Sequence, residues 1–178
     1  MNVGILIFAA GAAALLYGRA AQASTDSVEV DMNSPGAQKF GDAWFKYDMY
    51  FKKAAADYDV PFNWLKGIAI IESSLATDPL TSAGAVSSDG KSWGIMQVTL
   101  TTAQDLDGDA SVDKLNNPAY SIDLAGKYLS QLSDMFNGDE RKVIMSYNQG
   151  PGNTQKGKTF AAGYYTKFLG AVTLLNGG

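Results

Sequence analysis

The sequence predicts a mainly α-helical domain preceded by a short apolar N-terminal helix. Three observations carry this. From about Gln38 onward apolar side chains recur at three- and four-residue spacing. No alternating apolar–polar run reaches strand length. The composition, 46% apolar and 18% charged over 178 residues, is that of one folded domain with a real core.

Taken in order, Val3–Gly18 is an uninterrupted run of small and apolar residues closed by Arg19. As a helix it would reach roughly 24 Å, a little under the thickness of a hydrocarbon core. Ala21-Gln22-Ala23-Ser24 then supplies the small-x-small pattern of a signal-peptidase site, whereas a basic segment before the run is missing. Residues 1–23 therefore read either as an export signal or as a membrane anchor through residues 3–18. Residues 24–37 are polar and without periodicity, a linker. The folded domain is expected to span residues 38–178.

Within that domain, Trp44, Phe45, Asp48, Met49 and Lys52 follow helical spacing, uninterrupted until Asp59-Val60-Pro61. There Pro61 suits a first helical position, opening a helix over Pro61–Ser74 that carries Leu65, Ile68, Ala69 and Glu72 on one stripe. Thr77–Lys91, rich in Gly, Ser, Thr and Asp, reads as loop. Helices over Leu100–Leu106, Ala119–Phe136, Glu140–Tyr147 and Thr159–Leu175 complete the expectation.

Composition also limits the chemistry. The chain has no His and no Cys, which removes imidazole and thiol nucleophiles, histidine metal sites and disulfides. The net charge of −4, with no basic cluster, argues against nucleic acid as a partner. Catalysis would have to run on carboxylates, hydroxyls, lysine, amides or a hard metal ion.

Of the three Glu residues, Glu29 lies in the linker and Glu140 opens a helix, where its charge suits the dipole. Glu72 follows Gly67-Ile68-Ala69-Ile70-Ile71 at the C-terminal end of its helix. Apolar surroundings and the negative helix end both disfavour the anion and raise the pKa. A carboxyl still protonated near neutral pH can donate a proton to a leaving oxygen.

Glu72-Ser73-Ser74-Leu75 is followed by Gly94-Ile95-Met96-Gln97, by Asn117-Pro118-Ala119-Tyr120-Ser121-Ile122 leading to Tyr128-Leu129, by Ser146-Tyr147-Asn148-Gln149-Gly150, and by Tyr164-Tyr165-Thr166-Lys167-Phe168-Leu169. This series, over roughly Val60–Leu169, closely resembles the lytic transglycosylase domain (glycoside hydrolase family 23, related to goose-type lysozyme). Short motifs are weak singly and strong in order. The likeness is greatest to small secretion-associated and phage members, because of the inserted Ser87–Trp93 segment. The resemblance implies a lysozyme-like helical domain with a glycan-binding groove. It makes Glu72 the single catalytic acid/base and Thr81 a hydroxyl partner for its carboxyl. Met96 and Gln97 would line the groove, with Gly94 letting the backbone approach it. Tyr147 would hold the carboxyl or the sugar, Asn148 would bind sugar and loop amides, and Tyr164 would contact glycan. Leu75 and Gln149 depart from the family's usual Phe and Ala, and Trp93 is placed either to stack on a sugar face or to pin the loop.

Hydrolytic glycosidases generally use two carboxylates; no second one has a matching position in these motifs, and Asp78 and Asp89 are the candidates left for it. The resembling family uses one, cleaving the MurNAc-β-1,4-GlcNAc bond of peptidoglycan while the muramyl 6-hydroxyl closes onto C1 to give a 1,6-anhydro end. No cofactor or metal is implied. Asp105-Leu106-Asp107-Gly108-Asp109, with Ser111 and Asp113, alternates oxygen ligands as a calcium loop does, but Ala110 and Asn116 stand at the sixth and twelfth positions. A turn-forming acidic loop is the favoured reading. Expected partners are peptidoglycan strands in the periplasm or cell envelope, a membrane through residues 3–18, and a secretion machine or virion that opens the wall locally. A muramidase using water, or a silent glycan-binding plug, are the alternatives; the intact Glu72, Gln97, Tyr147 and Asn148 speak against the plug.

Overall fold

The computed structural model describes residues 31–77 and 90–177; the apolar run Val3–Gly18, Ala23, the first half of the linker and Thr81 lie outside them. Among the described residues ten helices and one short hairpin follow in the order α1 (Pro35–Phe40), α2 (Ala43–Lys46), α3 (Asp48–Tyr58), α4 (Phe62–Ser73), β1 (Ser92–Trp93), β2 (Val98–Thr99), α5 (Leu100–Leu106), α6 (Val112–Leu115), α7 (Pro118–Met135), α8 (Glu140–Gln149), α9 (Pro151–Gln155) and α10 (Ala162–Leu175). Among the described residues no helix is long and apolar enough to cross a membrane.

Among the described residues the first helix begins at Pro35, inside the stretch read as linker. Ser34 starts it by accepting the Ala37 amide at 3.3 Å, and Pro35 fills the first turn. The single helix expected up to Asp59 is broken twice, at Gly41 (φ 56°) and at Tyr47. Tertiary packing explains the breaks. Trp44 turns inward to stack on Phe40, with ring centroids 5.8 Å apart, and lies so close to Gly36 that a Cβ there would sit 2.1 Å from the indole. The buried Lys66 of α4 reaches across to the same corner. Its ammonium donates to the Trp44 carbonyl (2.6 Å) and to Asp48 (2.7 Å), 4.1 Å from the Trp44 ring centroid. A charge this deep stays only because it is paired.

Helix α4 is the central rod. Leu65, Ile68 and Ala69 are fully buried, and Gly67 admits Phe168 of α10, whose ring a Cβ would meet at 2.9 Å. Pro61 serves as its N-cap instead of its first helical residue. Helix α7 is capped by Asn117, whose Oδ1 accepts the Ala119 amide at 3.0 Å; its Gly126 lies against Tyr58 and Ala54 of α3. Glu140 does more than favour a helix dipole. It accepts from Trp64 Nε1 on α4 (3.1 Å) and from the Tyr165 hydroxyl on α10 (2.8 Å), tying three helices together.

No strand was expected, because two-residue strands leave no periodicity to read. The hairpin pairs Ser92 with Thr99 and Trp93 with Val98, antiparallel. Thr99 then caps α5, accepting the Thr102 amide at 3.2 Å. In the acidic loop, Asp107 accepts the Tyr120 hydroxyl (2.6 Å) and the Asp109 amide (3.1 Å). Those are the contacts of a turn, and no cluster able to hold a metal occurs among the described residues.

Candidate active site

Glu72 is the next-to-last residue of α4, and the chain beyond it is unusual. Ser74, Leu75 and Ala76 all have positive φ, between 51° and 59°. Left-handed residues with a Cβ cost about 1 kcal/mol or more each. Ser73 holds the turn: its Oγ donates to the Ile95 carbonyl (2.7 Å) in the hairpin turn and accepts the Ala76 amide (3.0 Å). Leu75, fully buried, fills the core beneath. The end of α4 is thereby bolted to the hairpin, and Glu72 is fixed between them.

A cavity of ≈ 110 Å³ opens beside Glu72, lined also by Ser92, Gln97, Val98, Thr99, Thr102, Tyr128, Tyr147 and Asn148. Burial pushes the Glu72 carboxyl from an ordinary 4.5 up to about 7; the Tyr164 hydrogen bond and the Lys167 charge pull it part of the way back. The Tyr164 hydroxyl, on α10, donates to Glu72 Oε1 at 2.7 Å. Tyr147, on α8, donates to the Met96 carbonyl at 2.8 Å, with its ring 5.6 Å from that of Tyr128. Burial holds both the Tyr147 and Tyr164 hydroxyls well above 10, so they remain donors at any working pH. Gln97 has φ 47° and is latched by its own side chain, whose Nε2 donates to the Gly94 carbonyl at 2.9 Å.

Of the residues singled out in the sequence, Glu72, Gln97, Tyr147 and Asn148 share this cavity, and Tyr164 reaches its carboxyl. Thr81 lies outside the described residues. Met96 does not line the cavity: its side chain is fully buried in the core, and only its carbonyl serves the site, as the acceptor for Tyr147. The turn at Gly94–Gln97 points Met96 inward. Gly94 also has another reason than approach to a ligand. At φ 74° it lies against α6, where a Cβ would be 2.0 Å from the Leu115 carbonyl oxygen. Sequence reasoning missed Tyr128, Thr99 and Thr102 as lining residues. The capping pattern Thr99-Leu100-Thr101-Thr102 was the available signal for the threonines. For Tyr128 the signal was its place in the Tyr128-Leu129 motif, to which no role at the site was attached.

Gln149, the departure from the usual Ala, is structural. Its amide donates to Thr154 Oγ1 and to the Lys158 carbonyl, both at 2.9 Å, and accepts from the Ala161 amide at 2.8 Å. It thus closes the loop running from Asn148 to α10.

The sequence profile of the Transglycosylase SLT domain family matches residues 49–166. The chain belongs to this family. It is also 35% identical over 109 residues, 60% of its length, to the peptidoglycan transglycosylase gp16 of Escherichia phage T7. It spans only 8% of that protein. Among solved structures it resembles an inactive mutant of lytic transglycosylase Slt from Pseudomonas aeruginosa, with a TM-score of 0.53 and 24% identity over 74% of this chain and 20% of that one. The second likeness concerns the fold. The family match, by contrast, takes in Glu72 and every cavity-lining residue.

The Tyr164–Glu72 contact gives a signed prediction. A hydroxyl donating to a carboxylate favours the anion. Tyr164→Phe should therefore raise the Glu72 pKa further above about 7. A carboxyl-carbon NMR titration reads this directly, and a downward shift would contradict the assigned contact.

Proposed function

We propose that this chain is a peptidoglycan lytic transglycosylase in which Glu72 is the single acid/base. The observation that carries the reading is a sequestered carboxyl with its pKa pushed up to about 7, facing Gln97, Tyr147 and Asn148 in a chain of the SLT family. Among the described residues Glu72 is the one acidic group lining the cavity; Asp78 and Asp89 fall outside them.

In the proposed reaction the protonated Glu72 gives its proton to the glycosidic oxygen as the bond to muramyl C1 breaks. Positive charge develops at C1, beside the newly formed carboxylate. The muramyl 6-hydroxyl then attacks C1, and its proton returns to Glu72. One bond is exchanged for another within the sugar chain, no water is consumed, and the enzyme ends as it began. Tyr164 orients the carboxyl and moderates its basicity. Asn148 and Gln97 offer amides to the acetamido and hydroxyl groups of the sugars. No metal or cofactor enters these steps.

The likeness to a phage protein supports a role in opening the wall locally from a virion, with the cell envelope as the place of action. Mass spectrometry of muropeptides released from purified sacculi tests the chemistry. 1,6-Anhydro ends are expected, and reducing muramyl ends in their place would establish a water-using muramidase. The rate should also fall as pH rises through about 7, because the donor is lost when Glu72 ionises. A kcat/KM that keeps climbing through alkaline pH would overturn the role of Glu72.

A further inference from the structure

Along a strand, successive side chains point to opposite faces. On β1, Ser92 lines the Glu72 cavity, whereas its neighbour Trp93 lines a second cleft of ≈ 300 Å³ with Gly90, Lys91, Thr99, Leu100 and Thr101. Thr99 belongs to both. The two recesses therefore adjoin at Thr99, at the start of α5. Trp93 is half-buried and packs against the core, yet it also lines the open cleft. The other two tryptophans, Trp44 and Trp64, are 6% and 7% exposed and are held in the interior. A glycan strand leaving the Glu72 cavity across Thr99 would enter the cleft that the Trp93 indole lines. An amino sugar has one comparatively apolar C–H face, which an aromatic ring covers well.

We propose that Trp93 forms a saccharide subsite outside the Glu72 cavity, holding a sugar ring of the same glycan strand by stacking. The proposal rests on the peptidoglycan reading and goes beyond it by assigning a binding role to a residue of the inserted segment. Trp93 would be a specificity determinant for strand length, without part in proton transfer. A strand long enough to pass over the hairpin gains the contact, and a fragment that fills only the Glu72 cavity does not.

Two measurements test this on the full chain. First, Glu72→Gln protein is titrated with long, peptide-free glycan strands while tryptophan emission is followed. Since Trp93 alone of the three indoles lies open in a cleft, saturable quenching or a spectral shift is expected. Unchanged emission at saturating strand would overturn the subsite, whether or not the chain is an active enzyme. Second, Trp93→Leu and Trp93→Phe are compared in otherwise unaltered enzyme. Leu keeps apolar bulk for the core but lacks a ring. It should raise KM on long strands about five- to tenfold with kcat nearly unchanged, leave short fragments unaffected, and be substantially rescued in Trp93→Phe. Equal losses on long and short substrates, or Phe no better than Leu, would reduce Trp93 to a packing residue. Absence of wild-type turnover on any glycan would defeat the peptidoglycan reading instead, and the emission titration would still decide the stacking site.

Discussion

Glu72→Gln is expected to lower lytic activity by about two orders of magnitude or more while leaving the fold intact. Glutamine keeps the length and planarity of the side chain and an oxygen to accept from Tyr164, so the cavity geometry should survive. What it lacks is a transferable proton. The same substitution should stabilise the protein, with a definite pH signature. A carboxyl whose pKa is raised on folding, from 4.5 to about 7, costs nothing below the lower value, where both folded and unfolded chains are protonated. Between the two values the unfolded chain ionises and the folded one does not, so native stability is lost as pH rises. Above about 7 both are ionised and the loss persists. Glutamine escapes this loss, of order 3 kcal/mol at full extent. Melting temperatures of wild type and Glu72→Gln should coincide near pH 4 and diverge by several degrees by pH 8, with the variant higher. Clearing of sacculi at the wild-type rate would remove Glu72 from the chemistry, and a gap that closes with rising pH would contradict its burial.

That divergence was partly foreseeable in the sequence. Leu65, Ile68, Ala69 and Glu72 fall on one helical stripe, and a carboxyl at the end of an apolar stripe must be desolvated or must turn away. The stripe itself is local to α4, although the walls around the carboxyl come from the hairpin, α5, α7, α8 and α10. The same locality made α5, α7 and α8 legible, since periodicity and caps such as Asn117 lie within their own segments. What stayed hidden depends on residues far apart in the chain. Trp44 breaks the first long helix because it must stack on Phe40 above Gly36 and receive Lys66 from α4. Glu140 looked like a simple dipole partner because Trp64 and Tyr165, which it joins, lie on other helices. Met96 was placed in the groove by the family resemblance, yet a turn with residues at positive φ sends neighbouring side chains to opposite sides. Tyr164 was read as a glycan contact, and the structure joins it to the carboxyl itself.

Gly94→Ala should be the most damaging small substitution outside the helices, and Gly138→Ala shows why. The two glycines have nearly the same backbone, φ 74° and 73°. Around Gly138 a Cβ would meet nothing within 4 Å; at Gly94 it would meet the Leu115 carbonyl oxygen at 2.0 Å and Ser121 Oγ at 3.1 Å. The conformational cost of a left-handed alanine, about 1 kcal/mol, is common to both. The overlap is not, and backbone oxygen in a short helix cannot swing aside as a side-chain tip can. The hairpin turn would have to lift from α6. With it would move the Ile95 carbonyl that holds Ser73 and the Gly94 carbonyl that latches Gln97, so both walls of the Glu72 cavity would shift together. Circular-dichroism melting should therefore show a loss of roughly 3–5 kcal/mol for Gly94→Ala against about 1 kcal/mol for Gly138→Ala. Whatever folds of the former should cleave glycan poorly, whereas Gly138→Ala should retain full activity. Equal destabilisation by the two substitutions would mean that backbone conformation, and not the seat against Leu115, is what the chain requires at position 94.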